Sequence, residues 1–190
     1  MRISIDLDNT VFNLAELYRQ IIEMHKCVYV APISYNVYEN GYPTKVADAL
    51  NDMITSDAVH HTRVFDAKIP DILNSIYANP KHELFYITER LLSEHIPTIH
   101  QLHRANIICD DNHLIHGKPK IDVLKEHKID LCFDDAPHVV NDCIANHIDV
   151  VMISNDDTAY NHHLRGTVEH YPTLIQALEQ HGFSLNTKDK

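Results

Sequence analysis

Apolar and polar positions change their spacing repeatedly along this chain. Residues 3–6 (Ile-Ser-Ile-Asp) are a short apolar run ending in a carboxylate, which predicts a strand. Across 13–26, apolar residues at Leu14, Leu17, Ile21, Ile22 and Met24 alternate with polar ones at the spacing of an amphipathic helix. The stretch 32–43 is broken by Pro, Gly and Asn and predicts a loop that carries Tyr35, Tyr38 and Tyr42. Helical spacing returns over 44–56, with Thr44 as its N-cap.

From residue 69 the rhythm becomes regular. Helices are predicted over 69–77, 93–103 (capped by Ser93), 121–127, 137–146 and 173–180. Strands are predicted over 83–88, 106–109, 130–133 and 149–153. This alternation with short loops predicts an α/β, Rossmann-like parallel sheet with helices on both faces. The stretch 13–64 shows no convincing strand and predicts a small helical cap inserted after the first strand. Residues 1–12 and 65–190 then form the core, with 186–190 as a frayed tail.

Composition narrows the function classes. The 190 residues, 44% hydrophobic and 23% charged, suit one domain with a modest insertion. Sixteen Lys and Arg against 27 Asp and Glu give a net charge of -11, which speaks against a sequence-independent grip on nucleic acid. A small anionic substrate remains compatible, because a metal and a few local cations can overcome an acidic field. The four cysteines are widely spaced with no C-x-x-C pair, so no zinc knuckle or redox motif is suggested; Cys109 and Cys132 sit in apolar runs and are expected to be buried. The N-terminus meets an acidic residue at position 6, which fits neither a signal peptide nor a membrane anchor, and no run approaches 18 apolar residues. A reduced, cytoplasmic protein with no membrane partner is expected. Sixteen histidines, including His60-His61 and His162-His163, lack recurrent zinc-ligand spacing. They are expected to be surface groups that titrate near neutrality, with a zinc site as the sharper alternative.

The chemistry is expected beyond the carboxyl ends of the strands, where open parallel sheets bind ligands. The first strand delivers Asp6 and Asp8, the second Thr88, the third Asp110-Asp111, and the fourth Asp134-Asp135. Each alone has a plain reading: Asp-x-Asp-x-Thr can be a turn or cap, and an acidic pair can cap the helix that Pro137 starts. Together, in order and at strand ends, they suggest magnesium and phosphate, since hard Mg²⁺ prefers oxygen ligands.

These residues resemble the haloacid dehalogenase superfamily of phosphohydrolases. Its first motif is similar to Asp6-Leu7-Asp8-Asn9-Thr10, its second to Thr88 at a strand end, and its fourth to Asp134-Asp135 after Leu131-Cys132-Phe133. Its third, a lysine near a helix start, has two candidates in His116-Gly117-Lys118-Pro119-Lys120; Lys120 opens the helix and is the better placed. The cap after the first motif, the Ile-Thr-x-Arg strand end and the Ile-Asp-x-x-x-Asp-Asp-x-Pro run resemble a narrower group, the type C 5'(3')-deoxyribonucleotidases and their uncharacterised bacterial relatives.

The resemblance implies a phosphomonoester hydrolase working through an aspartyl-phosphate on Asp6. Asp8 would serve as acid and base, and Thr88 and Lys120 would bind the phosphoryl group. Mg²⁺ would be held by Asp6, the Asp8 carbonyl, and Asp134 or Asp135. Thr10 is expected to shape the motif loop. Phe12 and Asn13 would face the substrate. Arg90 would contact phosphate or pair with a helix acid. The tyrosines would stack on a base or sugar, or simply pack under the loop. The implied substrate is a small phosphorylated molecule, first a nucleoside monophosphate and second a sugar or other metabolite phosphate. The reading of another class is a catalytically silent, metal-responsive module that uses the histidines.

Overall fold

The computed structural model describes residues 1–117 and 119–185; Lys118 and the tail 186–190 lie outside the described residues. Six strands form one parallel sheet: β1 (Arg2–Ile5), β2 (Glu83–Thr88), β3 (Leu114–His116), β4 (Leu131–Asp134), β5 (Asp149–Ile153) and β6 (His170–Tyr171). Their spatial order is β3-β2-β1-β4-β5-β6. The chain builds outward from β1 to β3, then returns to place β4 on the other side of β1. That reversal is the topological switch point of a doubly wound sheet, and ligands bind in the crevice it opens.

Period-two alternation sends the strand side chains into two cores. Leu84 and Tyr86 of β2 face one side with Ile3, Ile5 and Phe133. That side is covered by α3 (Ile69–Tyr77), α4 (His95–Arg104) and α7 (Leu174–Gln180) through Ile72, Leu102 and Leu178. Phe85 and Ile87 face the other side with Cys132 and Met152, under α5 (Lys120–Glu126) and α6 (Pro137–Ala145).

The cap carries α1 (Leu14–Met24) and α2 (Thr44–Ile54), with 3₁₀ turns at Val37–Glu39 and Asp57–His61. It has its own apolar cluster of Leu14, Ile22, Val37, Val46, Leu50, Met53 and Val59. Its two connections to the sheet run side by side: Asn13 N–H donates to Arg63 O (2.8 Å), and Phe65 N–H donates to Val11 O (3.1 Å).

Several boundaries differ from the sequence reading. Residues 106–109 are not a strand. Asn106 takes a left-handed conformation (φ 59°) just after α4, and Ile107 N–H closes back onto Leu102 O at 2.9 Å, a helix-terminating turn. Ile107 and Cys109 fill the core from a loop, and the strand comes later, at Leu114–His116. Asp110 and Asp111 therefore precede β3 and do not reach the rim; Asp110 instead accepts from Tyr77 and pairs with His113. Thr44 is the first helical residue after Pro43 and makes no cap bond. Ser93 lies inside a 3₁₀ turn, Leu92–Glu94, that precedes α4. The 3₁₀ segment Asp156–Leu164 and the two-residue β6 carry too little periodicity to predict. Among the described residues no helix is long and apolar enough to cross a membrane.

Candidate active site

Asp6 follows β1 and Asp134 ends β4, the two strands that flank the switch point. The Asp6 backbone N–H donates to Phe133 O at 2.9 Å, so the two strand ends stay in register. Lys120, the first residue of α5, reaches back between them. Its Nζ donates to Asp6 Oδ1 at 2.6 Å and to Asp134 Oδ2 at 2.7 Å. Burial alone would lower the lysine pKa, but the Asp134 and Asp6 carboxylates outweigh it and hold the ammonium well above the usual range.

Asp135 completes a group of three. One oxygen from each of Asp6, Asp134 and Asp135 lies within 4.8 Å of the others. Asp135 is fixed by Thr10, whose hydroxyl donates to Oδ1 at 3.3 Å, and by the Tyr160 hydroxyl on Oδ2. Burial is the main force raising the Asp6 pKa, to about 7; Asp134 and Asp8 add to it, and Lys120 opposes them. Burial, with Asp6 and Asp134, likewise pushes Asp135 well above its ordinary value. One lysine thus leaves uncompensated negative charge in a buried, all-oxygen site. That is the demand a hard divalent cation satisfies, and the donor set fits Mg²⁺.

The segment from Leu7 to Phe12 folds back on itself. Val11 N–H and Phe12 N–H both donate to Leu7 O, at 2.9 and 2.8 Å, and Asn9 adopts φ 59°, a conformation asparagine tolerates better than most residues. This turn projects Asp8 toward Arg90. Arg90 Nε donates to Asp8 Oδ2 at 2.9 Å and Nη2 donates to Oδ1 at 2.7 Å. The remaining guanidinium nitrogen, Nη1, donates to Gln101 Oε1 (2.7 Å), Thr98 Oγ1 (3.3 Å) and His60 Nδ1 (3.2 Å). Arginine only donates, so His60 Nδ1 accepts and the imidazole hydrogen sits on Nε2, 3.6 Å from Glu94 Oε1. Thr88 ends β2 buried; its oxygen accepts from Arg90 N–H at 3.2 Å, and among the described residues nothing accepts its hydroxyl hydrogen.

A cavity of about 340 Å³ lies between this rim and the cap. Asp6, Asp8, Thr88 and Arg90 line it from the sheet, and Tyr18, Tyr35 and Asn51 from the cap. Tyr35 meets the core edge-on, with ring centroids 5.6 Å from Tyr160 and 5.2 Å from His138. Arg19 forms an ion pair with Asp157, which also accepts from the Tyr29 hydroxyl at 3.0 Å. On the return connection, Gln101 Nε2 donates to Val59 O and Thr62 O, both at 3.2 Å.

The structure thus brings together Asp6, Asp8, Thr88, Arg90, Lys120, Asp134 and Asp135. Arg90 pairs with the motif acid Asp8 and not with a helix acid. Phe12 and Asn13 do not line the cavity: Phe12 is fully buried in the core, and Asn13 accepts from Glu16 N–H as the cap of α1. Tyr42 fastens the cap loop by accepting from Val30 N–H (2.9 Å) and donating to Val30 O (2.6 Å), and Tyr38 donates to Asp48. Lys118 is outside the described residues. His60 is not a surface residue; it is 4% exposed, and the metal-capable group among the described residues contains no histidine. Tyr160, Gln101 and His60 were not signalled by motif. Tyr160 alone had a positional cue, since it follows the carboxyl end of β5 on the same rim.

No family model and no curated protein matches the chain. Solved structures do match its fold. A haloacid dehalogenase-like protein of unknown function from Agrobacterium tumefaciens superposes with a TM-score of 0.62 at 11% identity, covering 94% of this chain and 96% of that one. A HAD family hydrolase from Deinococcus radiodurans, solved with bound phosphate and sodium, gives 0.61 at 11% identity, with 96% of both chains covered. A hydrolase of the haloacid dehalogenase-like family from Streptococcus pneumoniae gives 0.58 at 11% identity, covering 95% and 97%. The α/β core with its inserted cap is therefore a HAD-like fold.

Proposed function

We propose that the chain is a Mg²⁺-dependent phosphomonoester hydrolase of the haloacid dehalogenase type, acting on a nucleoside monophosphate. The observation that carries the reading is the buried bridge from Lys120 to Asp6 and Asp134, beside Asp135, behind a cavity that Asp6 and Thr88 line from the sheet and the cap lines from the other side. The fold shared with the phosphate-bound Deinococcus radiodurans hydrolase supports it.

Asp6, the Asp8 carbonyl, Asp134 and Asp135 would hold the cation, which supplies charge neutralisation to the phosphoryl oxygens when bound. Asp6 attacks phosphorus in line, the ester P–O bond breaks, and the leaving alkoxide takes a proton from Asp8. A water then attacks the aspartyl-phosphate and gives its proton back to Asp8. The P–O bond to Asp6 breaks, and inorganic phosphate leaves. The uncommitted Thr88 hydrogen and the Lys120 ammonium orient the phosphoryl group. Arg90 holds Asp8 in its direction toward the leaving group.

The test is a panel of phosphate esters assayed for released phosphate with Mg²⁺, using Asp6→Asn as the blank. The wild type should release phosphate from an aryl phosphate and from nucleoside monophosphates. The variant should be slower by roughly a thousandfold or more while retaining the fold. Equal activity in Asp6→Asn would overturn the mechanism, and a panel in which sugar phosphates lead would move the substrate assignment alone.

A further inference from the structure

The cavity wall supplied by the cap bears on what the phosphate is attached to, and this inference rests on the hydrolase reading above. Among the described residues that line the cavity, Arg90 is the one Lys or Arg, and two of its three nitrogens are committed to Asp8. Glu94 adds a carboxylate to the same wall; its Oε2 accepts from Leu91 N–H at 2.7 Å, and its Oε1 faces His60. The cap contributes apolar Leu14, Val37 and Ile54 together with uncharged polar groups.

Three of those polar side chains, Tyr18, Tyr35 and Asn51, make no hydrogen bond with any described residue. Tyr18 projects from α1 with its ring packed on the cap cluster, and its hydroxyl makes no hydrogen bond with any described residue. Burial first, and then the Asp8 and Asp135 charges, raise the pKa of that hydroxyl above the ordinary tyrosine value, so it keeps its proton. The Asn51 side-chain amide, from α2, likewise makes no hydrogen bond with any described residue. By contrast Asn40, on the same wall, is consumed by Ile33, Ser34 and Asn36.

We propose that the cavity selects phosphomonoesters of uncharged, hydroxyl- or amide-bearing alcohols and turns away esters that carry a second anionic group, with Tyr18 and Asn51 binding the alcohol portion. A neutral alcohol meets a hydroxyl and an amide that no described residue engages, and each can exchange water for it. A second carboxylate or phosphate meets Asp8 and Glu94 with no uncommitted cation among the described residues. Like charges brought together cost more than a lost neutral contact, so selection comes from repulsion as much as from fit.

The test separates selection from chemistry. Asp6→Asn protein with Mg²⁺ is titrated calorimetrically with two matched pairs. The first is glycerol 3-phosphate against 3-phosphoglycerate, in which a hydroxymethyl group becomes a carboxylate. The second is adenosine 5'-monophosphate against adenosine 3',5'-bisphosphate. The member of each pair that lacks the second anionic group should bind more tightly by more than about tenfold. Adding Glu94→Gln should narrow that ratio, and adding Tyr18→Phe should weaken the singly anionic member several-fold. Equal or tighter binding of the doubly anionic members overturns the selection, and so does failure of all four to bind. Phosphate release by the wild type is read separately: binding preference without turnover would sink the hydrolase reading and leave the selection standing.

Discussion

Arg90 grips Asp8 with both edges of its guanidinium fork, at 2.9 and 2.7 Å, from a position two residues beyond Thr88. The pair joins the two sides of the cavity mouth, because Asp8 belongs to the turn after β1 and Arg90 to the loop after β2. Arg90→Lys keeps the charge but not the planar fork. Asp8, the proposed proton-transfer group, then loses its fixed direction, and kcat should fall by about a hundredfold with a much smaller change in KM. Steady-state kinetics on an aryl phosphate checks this; an unchanged kcat would remove Arg90 from the positioning of Asp8.

The sequence made the sheet and most of this rim legible, for a physical reason. Buried parallel strands are short apolar runs, and the groups they deliver sit at their ends, so Asp6, Thr88 and Asp134 could be placed without coordinates. Lys120 was recognisable from its place at a helix start. What could not be read were groups held by tertiary partners: Gln101 and His60 behind Arg90, and Tyr160 against Asp135. The segment 106–109 misled because an apolar run in a loop fills the core as well as a strand does. Phe12 misled for a related reason: adjacency to the motif does not decide which way a side chain turns.

Lys120 is 3% exposed and answers two carboxylates. Lys120→Met should abolish phosphate release and destabilise the metal-free protein by roughly 3–5 kcal/mol, the cost of stranding buried charge. Part of that loss should return with Mg²⁺. Chemical denaturation with and without the ion measures both effects; a variant as stable as wild type without Mg²⁺ would contradict the bridge.

Mg²⁺ should raise the thermal midpoint of the wild type. At a hundred times its dissociation constant the stabilisation is about 2.7 kcal/mol. Asp135→Asn should behave in two opposite ways. The folded pKa of Asp135 lies above its unfolded value of roughly 4, so the ionised group costs stability at any pH above that value. Removing it should raise the midpoint of the metal-free protein and blunt the response to Mg²⁺. A midpoint that rises equally with Mg²⁺ in both proteins would exclude Asp135 from the cation site.

His60 gives a pH signature. Burial, and then the Arg90 charge, lower its pKa from the ordinary histidine value. The unfolded chain therefore takes up a proton near pH 6.5 while the fold still refuses it. The stability that His60 contributes is present above that pH and is lost as pH falls toward the folded pKa. The slope cannot exceed about 1.4 kcal/mol per pH unit for one proton. His60→Gln should flatten the fall of stability between pH 7 and 5 relative to wild type; an identical profile would show that His60 titrates as it does in the unfolded chain.

The paired connections at 11–13 and 63–65 have an architectural consequence. Phe12 bridges Val64, so the chain enters and leaves the cap at one point, and the insertion spans no distance across the sheet. A unit that begins where it ends, with its own apolar cluster, is a cassette. Excising it needs a closing loop only as wide as one strand spacing, and a different cassette could be seated on the same rim without moving Asp6 or Asp134.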